Sequence, residues 1–358
     1  MTSKKVRTLI GRILLVIFTT LLLLVLAVVG TVFVILRGPS RDAQELLTRS
    51  LKETSAIGFI PDLFLSSERV EEILRAGEEP AESGGATDAR LVTISATKRT
   101  PSGQQGGAEA AAKEPGRMLS EGIWLVDITG PNYRGVLMIV EDPTRVFVGT
   151  PEHLGDSGST LEEMVAYYDA IAGINAGGFN DEGGHGNGST PQGLVIDDGE
   201  VTWGANHVGG FHVVGLDKDG ILRVGFMTVQ GALDAGIRWG VSFETHDGLA
   251  SALIVNGEVQ RQNLGSGVNP RTAIGQREDG ALLLLVLDGR SISTLGATMK
   301  DLVDIMLEYG AVNAGNLDGG SSSVMVYGGE IINNCASVVG PRRIPTAFLL
   351  MEEGDVDG

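Results

Sequence analysis

The feature that most constrains this chain is an apolar segment near its N-terminus, Ile13 to Leu36, which contains no charged residue. It is longer than the roughly 20 residues that an α-helix needs to cross the hydrocarbon core of a bilayer. Four basic residues precede it: Lys4, Lys5, Arg7 and Arg12. By the positive-inside rule, this charge favours a cytoplasmic N-terminus. We therefore expect a single-pass anchor at the cell membrane, with the rest of the chain outside the cytoplasm.

A cleaved signal peptide is the alternative for this segment. The apolar stretch is longer than the usual signal-peptide core, and no clear A-x-A cleavage site follows it, so an uncleaved anchor is favoured. The sequence then divides into a tip and anchor at residues 1–37, a helical stalk and flexible linker at 38–118, and a globular domain at 119–358. The linker part, Glu78 to about Arg117, is rich in Gly, Ala, Glu, Ser and Pro and has little apolar periodicity.

Composition excludes several classes of function. The formal net charge of -18 opposes binding to the phosphates of nucleic acid. Cys335 is the only cysteine, so no intrachain disulfide can form. The histidines lack a spacing such as H-E-x-x-H, which disfavours a zinc site. No cofactor is certain and the metal-binding residues are unknown; a divalent cation held by carboxylates stays open.

Strands dominate the globular part. Ala252 to Val255 and Glu258 to Gln260 flank Asn256-Gly257, a dipeptide that suits the type I′ turn of a hairpin. Leu282 to Leu287 is continuously apolar, which predicts a strand buried on both faces. These patterns predict a sheet-rich domain.

Two segments have the three- and four-residue spacing of amphipathic helices, Thr160 to Ala172 and Thr298 to Tyr309. Thr298 followed by Asp301 predicts a capping box, and Gly310 predicts the helix end. The fold class is therefore α+β: a mixed, mostly antiparallel β-sheet domain covered by amphipathic helices and preceded by an N-terminal transmembrane helix.

Four polar, glycine-flanked stretches lie beside apolar elements: Asn175 to Asp181, Asn269 to Thr272, Asp288 to Ser291 and Asn316 to Ser323. Each one alone is typical of a turn. Together they supply carboxylates, arginines and the backbone amides of small residues. Carboxylates serve the cleavage of a glycosyl bond, and arginine forks with N–H groups hold phosphate. A sugar-1-phosphodiester requires both sets.

The stretch from about Ser120 to Met351 resembles the phosphodiester glycosidase family. The matching motifs are Asn175-Ala176-Gly177-Gly178-Phe179, Asn269-Pro270-Arg271-Thr272-Ala273-Ile274-Gly275, Leu287-Asp288-Gly289-Arg290-Ser291 and Asn316-Leu317-Asp318-Gly319-Gly320-Ser321-Ser322-Ser323. The helical segment Thr298 to Tyr309 lies between the last two. The resemblance implies an α+β domain with hydrolytic activity on glycosyl phosphodiesters.

Within these motifs we expect Asp318 and Asp288 to act as acid/base or stabilising carboxylates, and Arg271 and Arg290 to clamp phosphate. The plainer alternatives are turn capping for the aspartates and surface ion pairs for the arginines. We expect the other motif residues to bind substrate: Asn175, Gly177, Gly178, Phe179, Asn180, Thr272, Asn316, Gly319, Gly320, Ser321 and Ser322.

The sequence thus predicts a membrane-anchored, extracytoplasmic hydrolase. Its partners would be a carbohydrate phosphodiester substrate and the membrane, through residues 13–36, with no nucleic acid. It would cleave the glycosidic bond of sugar-1-phosphodiesters in envelope or exopolysaccharide polymers. Two alternatives stay open: a non-catalytic surface module that binds anionic glycans, and a phosphodiesterase that acts at phosphorus.

Overall fold

The structure, a computed structural model, describes residues 3–54, 56–75, 87–94, 116–181, 186–243, 251–260, 266–291, 294–336 and 340–353. Within these ranges the chain forms seven α-helices and eighteen β-strands. The helices are Ser3–Arg37 (α1), Arg41–Lys52 (α2), Ile60–Phe64 (α3), Ser67–Arg75 (α4), Leu161–Tyr167 (α5), Val229–Asp234 (α6) and Met299–Glu308 (α7).

The strands all lie between Arg117 and Leu350. They are Arg117–Ser120 (β1), Ile123–Thr129 (β2), Arg134–Val140 (β3), Val146–Gly149 (β4), Ala172–Asn175 (β5), Val195–Asp197 (β6), Glu200–Trp203 (β7), Gly210–Asp217 (β8), Leu222–Thr228 (β9), Ile237–Ser242 (β10), Ala252–Val255 (β11), Glu258–Val259 (β12), Arg271–Arg277 (β13), Leu282–Leu287 (β14), Ala311–Leu317 (β15), Met325–Tyr327 (β16), Glu330–Ile331 (β17) and Ala347–Leu350 (β18).

Three sheets organise these strands. The largest has eight strands in the order β1-β2-β3-β14-β13-β15-β11-β12. Two five-stranded sheets have the orders β7-β6-β10-β8-β9 and β17-β16-β5-β18-β4. The pairings of the central strands β3, β14, β13 and β15 are antiparallel. The predicted α+β class with mostly antiparallel sheets is confirmed.

The main core lies between one face of the eight-stranded sheet and both smaller sheets. Strand β14 shows why its sequence is apolar at every position. Leu282, Leu284 and Val286 point into this core, whereas Leu283, Leu285 and Leu287 pack on the opposite face, against α7. A strand covered on both sides needs apolar residues at successive positions, as predicted.

Each sheet carries a helix on its outer face. Helix α7 covers the large sheet, α5 packs on the sheet that contains β5, and α6 packs on the third sheet. The capping box of Thr298 and Asp301 forms as predicted. The helix predicted over Thr160 to Ala172 is shorter: α5 ends at Tyr167, Asp169 has a positive φ of 54°, and β5 begins at Ala172.

The predicted Asn-Gly hairpin is also confirmed. Val255 pairs with Glu258 across the turn, and the turn residues Asn256 and Gly257 have φ values of 54° and 80°. Two successive positive φ angles are what a type I′ turn requires, and Asn and Gly adopt them at low cost.

The N-terminal part contains one helix, with Leu9–Arg37 as its apolar portion, that is long and apolar enough to cross a membrane. Helices α2, α3 and α4 pack together beside its C-terminal end. In the predicted linker, residues 87–94 lie on the globular domain: Val92 is buried and the Thr93 N–H donates to the Glu278 carbonyl at 2.7 Å. The rest of that predicted linker, 78–86 and 95–115, lies outside the described residues.

Candidate active site

Three of the four motifs meet at one edge of the large sheet because their strands are neighbours. Arg271 at the start of β13 pairs with Leu287 at the end of β14. Thr272 pairs with Leu317 at the end of β15. Asp288 and Asp318 follow these two strand ends directly. Since neighbouring strands lie roughly 5 Å apart, the backbones of the two aspartates flank β13 at a separation of roughly 10 Å.

The fourth motif joins this edge through Asn175, which is fully buried at the end of β5. Its Nδ2 donates to the Asp318 carbonyl at 2.6 Å. Its Oδ1 accepts from the Thr272 hydroxyl at 2.8 Å and from the Val324 N–H at 3.1 Å. Asn175 and Thr272 therefore use these groups to hold the motifs together, a role that their sequence context did not reveal.

Backbone contacts complete the junction. The Asp318 N–H donates to the Ala176 carbonyl at 2.9 Å, and the Gly320 N–H donates to the Pro270 carbonyl at 2.9 Å. A Cβ on Gly319 would lie 2.8 Å from that same carbonyl oxygen, a distance that side-chain carbons do not reach without displacement of the backbone. Glycine is therefore required here by a close approach between two motifs.

The side chain of Asp318 has an unusual environment. Burial raises its pKa to about 6, although hydrogen bonds from the Ser322 side chain and the Gly319 N–H favour the ionised form. The positive charge of Arg342 also lowers this pKa, while the negative charge of Asp181 raises it. Asp318 is thus a carboxyl group that titrates near neutral pH at the point where all four motifs meet.

Arg342 and Asp181 form an ion pair within electrostatic reach of Asp318. Arg342 Nη2 lies 2.7 Å from Asp181 Oδ1, and its guanidinium carbon lies 5.4 Å from the ring centre of Phe179. Neither charged residue was among the predicted site residues. Asp181 ends the first motif stretch, which is a usable signal, whereas Arg342 follows a Gly-Pro turn before β18 and carries no recognisable motif.

Asp288 has a different set of neighbours. Its Oδ1 accepts from the Asn333 Nδ2 and from the Asn334 N–H, both at 3.0 Å. Burial raises the pKa of Asp288, and these two hydrogen bonds oppose the shift. Asn333 Nδ2 also donates to the Ser323 carbonyl at 3.2 Å, so Asp288 is tied to the loop that follows Asp318.

Asp288 also lines a cavity of about 470 Å³. The cavity is bounded by residues at the end of β2, the start of β3 and the segment 332–334. Asp318 is not one of the described residues that line it. The structure therefore brings the two predicted carboxylates to the same sheet edge but gives them different surroundings.

Arg290 lies over the glycine loop of Asp318. It has a φ of 55°, and a Cβ on Gly320 would lie 3.1 Å from its Nη2. Burial and the charge of Arg271 lower the pKa of Arg290, and the charges of Asp318 and Glu53 oppose that shift. The guanidinium is thus held near Asp318 in a partly desolvated position.

Arg271 is buried and already engaged. Its Nε donates to the Ala297 carbonyl at 3.1 Å, and its Nη2 donates to the Gly267 carbonyl at 2.7 Å and to Glu53 Oε2 at 2.6 Å. Arg290 Nη2 donates to the Thr54 hydroxyl at 3.0 Å. Both predicted phosphate clamps therefore contact the C-terminal end of the α2 segment.

The carboxylate of Glu53 occupies a set of donors suited to an anion. Besides Arg271, it accepts from the Gly267 N–H at 2.6 Å and from Asn269 Nδ2 at 2.9 Å. The Glu53 side chain is only 10% exposed. A guanidinium, an amide and a backbone N–H converging on one carboxylate make a site that binds negatively charged oxygen. No local sequence pattern indicates this contact, because it joins two distant parts of the chain.

Asn316 is a buried polar side chain with unmet hydrogen-bonding capacity. It is 1% exposed and lies two positions before Asp318 on β15. Within the described residues, neither its Oδ1 nor its Nδ2 has a hydrogen-bond partner. Burying an amide without partners is costly, so this position is compatible with the predicted role in substrate binding.

The remaining predicted residues surround this junction. The N–H groups of Gly177 and Gly178 are already paired, with the Thr346 hydroxyl at 2.9 Å and the Ser242 carbonyl at 3.2 Å. Phe179 is buried in the α5 core, and the backbone N–H of Asn180 donates to the Thr190 carbonyl. Ser321 and Ser322 form the helical turn after Asp318.

A metal centre is not evident in the part of the chain that the structure describes. No group of three or more His, Cys, Asp or Glu side chains within those residues could hold a metal ion. The charged groups that interact with Asp318 are Arg290 and the ion pair of Arg342 and Asp181. That arrangement can transfer a proton at Asp318 and bind an anion at the arginines.

Comparison with known proteins points to one family. The family model for phosphodiester glycosidases matches residues 168–351. The chain is 38% identical over 89 residues to the SPbeta prophage-derived uncharacterized protein YomE of Bacillus subtilis (strain 168). This match covers 25% of this chain and 14% of that protein. It is 26% identical over 170 residues to N-acetylglucosamine-1-phosphodiester alpha-N-acetylglucosaminidase of Bos taurus, with 38% of this chain and 30% of that enzyme covered.

A solved structure has the same fold. The zebrafish N-acetylglucosamine-1-phosphodiester alpha-N-acetylglucosaminidase catalytic domain, auto-inhibited by pro-peptide, superposes with a TM-score of 0.51 at 22% identity. The match covers 64% of this chain and 82% of that one. The chain thus matches most of the solved catalytic domain but less than a third of the length of either curated relative.

Proposed function

The chain belongs to the phosphodiester glycosidase family, and we propose that it is a membrane-anchored hydrolase that cleaves the glycosidic bond of sugar-1-phosphodiesters. Family membership supports a glycosidase-type function. The bovine relative is named for an N-acetylglucosamine-1-phosphodiester, and we propose the same class of bond here. The substrates would be phosphodiester-linked sugars of envelope or exopolysaccharide polymers.

The observation that carries this proposal is the environment of Asp318. A general acid or base works best when its pKa lies near the working pH, and burial raises the pKa of Asp318 to about 6. We propose that Asp318 handles the proton at the glycosidic oxygen or at the attacking water. Asp288, which follows β14 on the other side of β13, is the proposed second carboxylate, which stabilises positive charge at the anomeric carbon.

The arginines are the proposed phosphate ligands. Arg290 and Arg342 both interact electrostatically with Asp318, so a phosphate bound by them would hold the sugar beside that carboxyl group. Arg271 is the third proposed clamp, and the Glu53 carboxylate in front of it supports an affinity of this position for anions. Guanidinium forks match the geometry of phosphate oxygens.

The anchor is the second part of the proposal. The apolar portion of α1, Leu9–Arg37, supports a membrane span. The basic residues that precede it favour a cytoplasmic N-terminus. The globular domain would then lie outside the cytoplasm, where envelope polymers are found.

The proposal is tested with the purified full-length protein and a synthetic N-acetylglucosamine-1-phosphodiester. We expect release of free sugar, and we expect Asp318→Asn to slow it by about 10³-fold while the protein stays folded by circular dichroism. A non-catalytic binding module would instead bind the compound tightly without turnover in either protein. That result would refute the hydrolase.

The bond that breaks is identified by running the reaction in oxygen-18 water. Glycosidic cleavage puts the label in the released sugar, because water attacks the anomeric carbon. A phosphodiesterase that acts at phosphorus would put the label in the phosphate product. Label in the phosphate would therefore replace our proposal by the phosphodiesterase alternative.

A further inference from the structure

Three apolar side chains near the end of α1 are exposed. They are Ile57, Phe59 and Leu63, with 38%, 59% and 68% of their surface accessible. We call them the apolar ridge, and they lie on the turn after α2 and on α3. We propose that the ridge inserts into the same membrane that α1 crosses, at the level of the lipid headgroups and upper acyl chains. This inference rests on the proposed membrane span of α1.

Helix α3, which carries part of the ridge, packs against the end of α1. The ring of Phe64 packs edge-on against Phe33 of α1, with 6.2 Å between ring centres. Arg37 Nε donates to the Phe64 carbonyl at 2.5 Å. Phe33 precedes the last residue of α1 by about one helical turn, or roughly 6 Å. Helix α3 therefore lies beside the final turn of the proposed span, at the depth of the membrane interface.

The side chains near the end of α1 suit a membrane interface. Exposed aromatic and aliphatic side chains are unfavourable in water, but they are favourable at a membrane interface, where short amphipathic segments bury an apolar face. Arg37 and Arg41 follow the apolar part of α1, and Arg41 lines a cavity of about 340 Å³ together with Gln44 and the ion pair of Arg69 and Glu72. Basic side chains at this height suit anionic lipid headgroups.

Helix α2 connects the end of α1 to the arginines of the candidate site. Gln44 Nε2 of α2 donates to the Leu36 carbonyl at 2.5 Å, and Leu36 is fully buried. At its other end, α2 leads into Glu53, which contacts Arg271. From Gln44 to Glu53 a helix rises only about 14 Å. An inserted ridge would therefore fix the tilt of the domain and hold the arginine cluster within roughly 20 Å of the end of the span.

We infer that the ridge contacts lipid. A second protein could cover the same side chains, but the contact with the last turn of α1 places lipid next to them without any further partner. The ridge would add a second contact with the bilayer to the single helix. A single helix alone permits the domain to rotate and tilt freely about its connection.

Site-directed spin labelling tests the proposal, because Cys335 is the only native cysteine and Cys335→Ser gives a background without thiols. The full-length protein is placed in nanodiscs of phosphatidylcholine and phosphatidylglycerol and labelled at Leu63→Cys. A matched control label is placed at Val208→Cys, which is 97% exposed on the globular domain. A third label at Leu23→Cys, 67% exposed on α1, reports on the span itself.

For each label, the measured quantity is the ratio of its accessibility to oxygen to its accessibility to a water-soluble nickel complex. We expect this ratio to be at least threefold higher for the Leu63 label than for the Val208 label. If the Leu63 label is as accessible to nickel as the Val208 label while the Leu23 label lies in lipid, the proposed insertion of the ridge is wrong and the proposed anchor still holds. A Leu23 label that is accessible to nickel would overturn both. The accessibility ratios thus separate failure of the inference from failure of the proposed span.

Discussion

Two copies of the tripeptide Leu-Asp-Gly lie at this site, Leu287-Asp288-Gly289 and Leu317-Asp318-Gly319. Both aspartates follow buried strands on either side of β13. Their neighbours differ: Asp318 lies among Arg290, Arg342 and the Ser322 hydroxyl, whereas Asp288 is held by Asn333 and the Asn334 N–H. Identical local sequence thus gives one carboxyl group a charged environment and the other an amide environment.

The largest effect expected from this difference is on turnover. Asp318→Asn removes the group that titrates near neutral pH, and general acid–base catalysis contributes about 10²–10⁴-fold in rate. We expect kcat on a synthetic sugar-1-phosphodiester to fall by about 10³-fold. Measured under the same conditions, retention of more than a tenth of the activity would remove Asp318 from the proton-transfer role.

The second expected effect is on stability: Asp318→Asn should raise the stability of the fold although it lowers turnover. The pKa of Asp318 rises from 3.8 to about 6 in the folded protein, so the folded state binds more protons than the unfolded state between these pH values. Ionisation therefore lowers stability as pH rises through that window, by about 2–3 kcal/mol above pH 6. Asp318→Asn avoids this cost, and we expect its Tm at pH 7.5 to rise by roughly 4–8 °C.

The pH series supplies the control for that stability prediction. Below about pH 3, well under the unfolded-state pKa of 3.8, the wild-type carboxyl group is neutral in both states, so the difference in Tm between wild type and Asp318→Asn should vanish. A difference in Tm that stayed constant from about pH 3 to 7.5 would show that a change in packing, not ionisation, causes it.

Asp288→Asn should have a smaller effect on rate. Its Oδ1 accepts two hydrogen bonds, and an asparagine in the same rotamer keeps that acceptor. The variant loses the negative charge proposed to stabilise the anomeric carbon but no proton-transfer group, so we expect a loss of about tenfold in kcat, smaller than that of Asp318→Asn. A loss as large as that of Asp318→Asn would break the distinction between the two strand ends and make both carboxylates essential.

The smallest effect concerns Asn333, which links Asp288 to the loop that follows Asp318. Asn333→Ala removes the amide that donates to Asp288 and to the Ser323 carbonyl. Because Asn333 is only half-buried, water can replace part of what is lost, and we expect a destabilisation of about 1 kcal/mol. Thermal unfolding measures it, with the exposed Asn180→Ala as the matched control. An unchanged Tm would mean that Asn333 does not tie the two loops together.

Much of the fold followed from local patterns. The apolar run of β14, the capping box of α7 and the Asn-Gly turn each depend on residues close together in sequence, and each formed as expected. The meeting of Asp288, Arg271 and Asp318 at one sheet edge depends on which strands are neighbours. The motifs suggested that arrangement, but their spacing could not give the order β14-β13-β15. The catalytic and binding roles of these residues stay predictions.

Other contacts had no local signal. Glu53 reaches Arg271 across a sequence separation of 218 residues, and Arg342 reaches Asp181 across 161. Asn175 looked like a ligand-binding amide, yet its side chain bonds the backbone of Asp318 and the hydroxyl of Thr272. Whether a polar group faces substrate or protein depends on partners that only the folded chain supplies.

By itself the sequence determined the anchor-like apolar helix, the α+β class, the hairpin turns and the residues from which a site for sugar phosphodiesters could be built. These properties arise from periodicity, turn chemistry and composition, which act over a few residues. The tertiary structure decided which aspartate has its pKa raised to about 6 and which arginines lie beside it. Burial and Coulomb interactions depend on distance in space, and neighbours in space are set by strand order and packing rather than by position along the chain.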